Sequence, residues 1–210
     1  MVKACSLDFL NKSHFDTDVL SADGRILYTT GAPITSEILL KLYFKDIYIP
    51  KRLEFDEGHA QRVREYSLKI GKLIDMPKDK LEELKDAAYY HDIGITKFTE
   101  SDLQKANFDM WQGEAGVNIL TKERQFPKSV AEVALAHLKP YNSARFPLIK
   151  EDKNCVPYAH IVAIANCFDE LSYKNLGKKR ALEKMAQLGG GRFNIFILHK
   201  FIRAMRDSDG

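Results

Sequence analysis

Cysteine is scarce: 210 residues hold three, Cys5, Cys155 and Cys167. Their odd number and the absence of any CxxC spacing exclude a disulfide framework and a cysteine-type zinc site, and reduced thiols in a cytoplasm are the expectation. Long apolar runs are missing too. No stretch approaches the roughly 20 residues of a membrane span, and the segment Met1 to Leu10 has one lysine and no apolar core of a leader peptide, so neither membrane nor targeting segment is expected. Excess charge of one sign is also lacking. Lys and Arg number 32 against 29 Asp and Glu, too small a surplus to imply a nucleic acid polymer.

What is present is an ordinary globular composition, 45% hydrophobic, 29% charged and 10% aromatic, which excludes a disordered or collagen-like chain. Around residue 52 the texture changes. Before it, the turn at Asp23-Gly24 leads into a β-prone run from Arg25 to Thr30. Gly31-Ala32-Pro33 then opens a helix through Phe44, and Ile47-Tyr48-Ile49 reads as a second short strand. This predicts a small strand-helix-strand module over 1–52, too short to bury a large core by itself.

Residues 53–210 carry a helical period instead. Val63, Ile70 and Ile74 share one stripe, as do Leu81, Leu84 and Ala88, and then Val130, Val133 and Ala134. Further helices are expected at about Pro157 to Tyr173, Lys179 to Leu188 and Arg192 to Met205. Gly189-Gly190-Gly191 reads as a helix stop, since no GK[ST] follows it. The fold class is mainly α, a helical bundle with a small N-terminal α/β module.

Polar residues interrupt the apolar stripes at telling places. His59 lies four before Val63, His91 three after Ala88 and His137 three after Ala134, so three helices aim an imidazole inward. A fourth helix carries Val162, Asn166 and Asp169 along one edge of its inner face. A single buried histidine is commonly a core residue with one hydrogen bond. Several converging on a carboxylate are costly to bury, and a divalent cation satisfies them together.

The blocks His59-Ala-Gln-Arg-Val63, Ala87-Ala-Tyr-Tyr-His91-Asp92-Ile-Gly94, the helix ending in His137, and Ala165-Asn-Cys-Phe-Asp169-Glu-Leu171 resemble, in order and spacing, the HD superfamily of metal-dependent phosphohydrolases, and within it the HD-GYP branch. The resemblance implies an HD-type helical bundle from about Phe55 to Arg206 that holds metal ions and hydrolyses cyclic di-GMP. Carried over by position, it implies His59, His91, Asp92 and Asn166 as ligands of one metal, Asp92 and His137 as catalytic groups, and Lys97 and Lys178 as cofactor or phosphate contacts. Asn166 stands where the family has Asp, Gln112 and Leu138 where it has metal-binding His, and Ile95 where it has Lys.

The family's loop HHExxDGxGYP reads His137-Leu-Lys-Pro-Tyr-Asn-Ser-Ala-Arg-Phe-Pro147. Arg145 thus replaces a glycine and Phe146 a tyrosine. These departures fall on metal ligands, loop and phosphate contacts alike. They predict at most one divalent metal (Fe, Mn or Zn) or none, and a degenerate domain that acts as a regulatory or protein-binding module in bacterial signalling. The alternatives are a one-metal HD-type phosphohydrolase and a sensor that binds cyclic di-GMP without cleaving it.

Overall fold

The computed structural model describes residues 1–141 and 155–207, with backbone alone for 155, 156, 174 and 175. Two compact units result: Met1–Leu53 with Thr99–Ser101, and Glu54–Phe98 with the residues from Asp102 onward.

The first unit is richer in strands than its sequence suggests. Four strands, β1 (Val2–Ala4), β2 (Val19–Ser21), β3 (Ile26–Tyr28) and β4 (Ile47–Ile49), form an antiparallel sheet in the order β1-β4-β2-β3. Helix α1 (Ser36–Tyr43) starts where the Thr35 hydroxyl accepts the Ile38 N–H, a standard N-cap. The expected strand, helix and strand are β3, α1 and β4; β1 and β2 are additional. Phe9, Phe15, Val19, Leu42 and Ile47 form a core within this unit, with the Phe9 and Phe15 rings edge to face at 5.0 Å. Thr99 bridges to Arg52, which accounts for the return of the chain to this unit at 99–101.

The second unit is helical: α2 (Glu57–Leu73), α3 (Lys78–Tyr89), α4 (Phe108–Asn118), α5 (Lys128–Ala131), α6 (Val133–Ala136), α7 (Cys155–Leu171), α8 (Lys178–Ala186) and α9 (Ile195–Asp207). Asp56 starts α2 by accepting the His59 N–H at 2.9 Å, which fixes the backbone of a candidate ligand as it caps the helix. The stripe expected around Val130 to Ala134 is split into two short pieces, α5 and α6, at Glu132. Asn194 delays α9 by three residues relative to expectation, because its side chain accepts the N–H groups of Phe196 and Ile197. The glycine run does stop a helix: α8 ends at Ala186 and Gly190 takes φ of +80°.

A core of Val63, Ile70, Leu84, Val133, Ile161, Phe168 and Phe201 holds α2, α3, α6, α7 and α9 together. The part nearest the site is packed through glycine. A Cβ on Gly94 would lie 2.0 Å from the Gln112 carbonyl oxygen and 2.6 Å from the Gly116 nitrogen. The turn after His91-Asp92 therefore lies directly on the backbone of α4, a distance only glycine permits. On its other side α4 meets α6 just as closely: a Cβ on Gly113 would sit 2.8 Å from the Leu135 Cα, and one on Gly116 2.8 Å from the Ala134 Cβ. Among the described residues no helix is long and apolar enough to cross a membrane.

Candidate metal centre

Three elements bring four side chains to one point. His59 comes from the first turn of α2, His91 and Asp92 from the turn after α3, and His137 from the end of α6. His91 therefore lies just past its helix, whereas the stripe reading places it on the helix. The helix ends explain two of the imidazoles. The last carbonyls of a helix can accept side-chain donors: His91 Nδ1 bonds to the Ala88 oxygen at 2.8 Å, and His137 Nδ1 bonds at 2.9 Å to the Val133 oxygen, which also accepts the His137 backbone N–H. Each ring is thus fixed at Nδ1, and Nε2 is the atom left to face the cluster.

His59 reaches the same state differently, with Nδ1 bonded to Asp169 Oδ2 at 2.7 Å. Asp169 is 0% exposed and also receives Arg62, whose Nε donates to Oδ1 at 2.7 Å and Nη2 to Oδ2 at 3.0 Å. The Arg62 guanidinium in turn lies 3.8 Å from the centre of the Tyr173 ring.

The ligating atoms converge. His59 Nε2 and His91 Nε2 are 3.3 Å apart, and Asp92 Oδ2 lies 3.3 Å from His91 Nε2 and 3.7 Å from His59 Nε2. Donors held about 2.0–2.2 Å from one tetrahedral cation stand roughly 3.3–3.6 Å from each other, so these three atoms already have the spacing of a coordination sphere. The second oxygen of the carboxylate is used otherwise. Asp92 Oδ1 accepts the Gln112 amide at 2.8 Å and lies 3.5 Å from His137 Nε2.

Two buried polar atoms here have no hydrogen-bond partner, His137 Nε2 and Asn166 Oδ1. Asn166 sits one turn before Asp169 on α7, the residue that bonds His59. Buried acceptors without partners are rare. The His137 nitrogen beside Asp92, with the donor spacing above, fits a divalent cation.

Charge at the site follows the geometry. Burial alone would lower the pKa of His59, but its bonds to Asp169 and Asp92 outweigh that and raise it to about 9. A cation arriving at Nε2 must therefore displace a proton. Burial alone would raise Asp92 and Asp169; His91, His137 and His59 hold Asp92 well below the usual carboxylate range, and His59 and Arg62 lower Asp169. Asp92 is 24% exposed, while the His91 and His137 side chains are 0% exposed, so the cluster opens to solvent at Asp92.

The remaining sequence candidates stand apart from this cluster. Lys97 Nζ is paired with Glu123 at 3.0 Å on the surface. Lys178 lines a surface hollow of about 280 Å³ with Lys179, Leu182, Glu183 and Arg206. Arg145, Phe146 and Pro147 lie outside the described residues. Sequence reasoning missed three parts of the site: the bond of Gln112 to Asp92, the Asp169 acceptor for His59, and Arg62. A signal for the last two was available, because Arg62 lies one turn after His59 and Asp169 one turn after Asn166.

The model of the family described as HD domain matches residues 48–194. The chain belongs to the HD domain family. A curated relative is 28% identical over 147 residues, the "3'3'-cGAMP-specific phosphodiesterase 2" of Vibrio cholerae serotype O1. That match covers 63% of this chain and 28% of the relative, so the chain spans less than a third of that protein.

Proposed function

We propose that the chain is a one-metal phosphohydrolase of the HD type acting on a phosphodiester, with cyclic dinucleotides as the substrate class. The observation that carries this reading is the convergence of His59 Nε2, His91 Nε2 and Asp92 Oδ2 at coordination spacing. Those three, with Asn166, would hold the cation. When bound, it supplies Lewis acidity toward a phosphate oxygen and a water acidic enough to attack phosphorus at neutral pH. The residues around it hold and orient. His137, with Nδ1 committed to Val133 and Nε2 unpartnered, can take a proton from the attacking water or hold a phosphate oxygen. Asp92 offers Oδ2 to the cation while Gln112 holds Oδ1.

The family relative supports the substrate class, since it is named for cleavage of a cyclic dinucleotide. Gln112 limits the metal count. Its amide N–H bonds the carboxylate oxygen through which Asp92 would reach a second cation, and an amide in the place of an imidazole is a weak ligand for a transition metal.

A second reading, a regulatory or protein-binding module without turnover, draws on the same Gln112 bond and on the neutral Asn166. Metal analysis of protein purified without chelator, followed by manganese-dependent assays on bis(p-nitrophenyl) phosphate, 3'3'-cGAMP and cyclic di-GMP, separates the two. One bound ion and metal-dependent cleavage that His91→Ala abolishes is the result expected. A bound ion with no turnover on any of the three favours the regulatory module.

A further inference from the structure

His59 stands where its own helix has no acceptor to give it. It is the third residue of α2, and the start of a helix exposes N–H groups, whereas carbonyls are left over at the other end. His91 takes its Nδ1 partner from such a leftover carbonyl, and His137 shares the Val133 carbonyl with its own backbone N–H; His59 has to import one. We propose that Asp169, held in place by Arg62, is the positioning residue of the centre: it fixes the His59 ring with Nε2 toward the cation. This rests on the reading of His59 as a metal ligand and deepens it.

The geometry is that of a two-by-two interlock. His59 and Arg62 are neighbours one turn apart on α2. Asp169 lies on α7, and Tyr173 lies four residues further along, in the π-helical turn Ser172–Leu176 that follows α7. Asp169 accepts from both α2 residues, at 2.7 Å from His59 and at 2.7 and 3.0 Å from Arg62, and Tyr173 covers the guanidinium. A carboxylate with no exposed surface is costly to bury unless paired, and the side-on bond from Arg62 both neutralises it and sets its plane. With its burial offset by Arg62, Asp169 gives His59 a fixed direction as well as a charge.

That argument predicts an unusual pattern of rescue. In Asp169→Asn the amide has one oxygen and one NH₂. With its oxygen kept on His59 the NH₂ opposes Arg62 Nε, and turned the other way it opposes His59 and Arg62 Nη2, so the clash with Arg62 works against the orientation that holds the ring. In Asp169→Asn with Arg62→Met the clashing donors are gone, and the amide oxygen can again accept from Nδ1. In Asp169→Leu with Arg62→Met no acceptor remains, yet no charge is stranded, an exchange that buried ion pairs commonly tolerate.

The test is Mn²⁺ affinity of the full chain by titration calorimetry, with melting of the metal-free proteins measured alongside. Loss of an oriented partner of a ligating histidine costs about 10–100-fold in metal affinity. Asp169→Asn is expected to fall in that range, Asp169→Asn with Arg62→Met to recover most of it, and Asp169→Leu with Arg62→Met to stay weak. A spectroscopic readout accompanies the titration: in the Co²⁺-loaded wild type the His59 Nδ1–H gives a shifted proton signal slow to exchange, which the Asp169→Leu double variant lacks. The two double variants carry the test even if Asp169→Asn alone fails to fold. Equal Mn²⁺ affinity in both, with the wild type binding normally, would overturn the inference and leave the metal reading intact. A wild type that binds no cation would overturn both.

Discussion

Substituting Gly94 by alanine places a methyl group where the structure has no room for one. The added carbon would stand 2.0 Å from the Gln112 carbonyl oxygen and 3.0 Å from its carbon, with the Gly116 nitrogen at 2.6 Å. All three are backbone atoms, so no rotamer change relieves the overlap, and about 1.4 Å of separation is needed to reach ordinary contact near 3.4 Å. Helix α4 has nowhere to retreat, because Gly113 and Gly116 already hold it against Leu135 and Ala134 of α6. Overpacking of this kind costs roughly 3 kcal/mol or more. For a chain of this size that is a fall of about 6–12 °C in melting temperature. Gly58→Ala is the control: its Cβ would meet only Asp56 and Arg62 side-chain atoms at 3.4 and 3.5 Å, and a helical Gly→Ala exchange there should be neutral or stabilising by up to about 1 kcal/mol. Thermal melts followed by helical circular dichroism read both. Gly94→Ala melting within a degree or two of wild type would refute the close approach of the His91-Asp92 turn to α4, and with it the placement of Gln112 on Asp92.

Other outcomes follow from the same contacts. Asp56→Ala removes the cap that holds the His59 N–H and should cost about 1 kcal/mol in chemical denaturation; an unchanged midpoint would show that the cap contributes nothing. Asn166→Asp with Gln112→His and Leu138→His restores oxygen and imidazole donors and should raise Mn²⁺ uptake to a second ion, while cyclic di-GMP cleavage stays slow because Arg145 and Phe146 are unchanged. Brisk cleavage by that variant would contradict the weight placed on the loop. Burial lowers His160 from 6.5 to about 4, so the folded state resists a proton that the unfolded chain accepts. The contribution of His160 is full above pH 6.5 and is lost as pH falls toward 4, by about 1–2 kcal/mol after solvent screening. His160→Leu should flatten stability over that interval, and an unaltered slope would exclude His160 as its source.

The sequence made the helical unit and the histidine cluster legible for one reason. His59, His91 and His137 are polar residues where the helical period demands apolar ones, and a strong period reports burial whatever the side chain. The first unit was harder. Val2–Ala4 and Val19–Ser21 are three-residue strands, too short for alternation to register, and they exist because β4 pairs with both across a long stretch of chain. The bond from Gln112 to Asp92 was illegible too, since it depends on the approach of α4 at Gly94, a distance that no local pattern encodes. Lys97 shows the limit of motif position as a guide: it is near His91-Asp92 in sequence, yet Glu123 has it.

One divalent cation on His59, His91 and Asp92 with Asn166, and a second position closed by Gln112, is the reading on which the proposed function stands. Titration of the metal-free protein with Mn²⁺, with stoichiometry read by calorimetry and by electron paramagnetic resonance, tests it directly. One ion per chain as a magnetically isolated centre, lost in His91→Ala, is the result expected. Two ions per chain with the signal of a coupled pair would contradict it, and so would binding that survives His91→Ala.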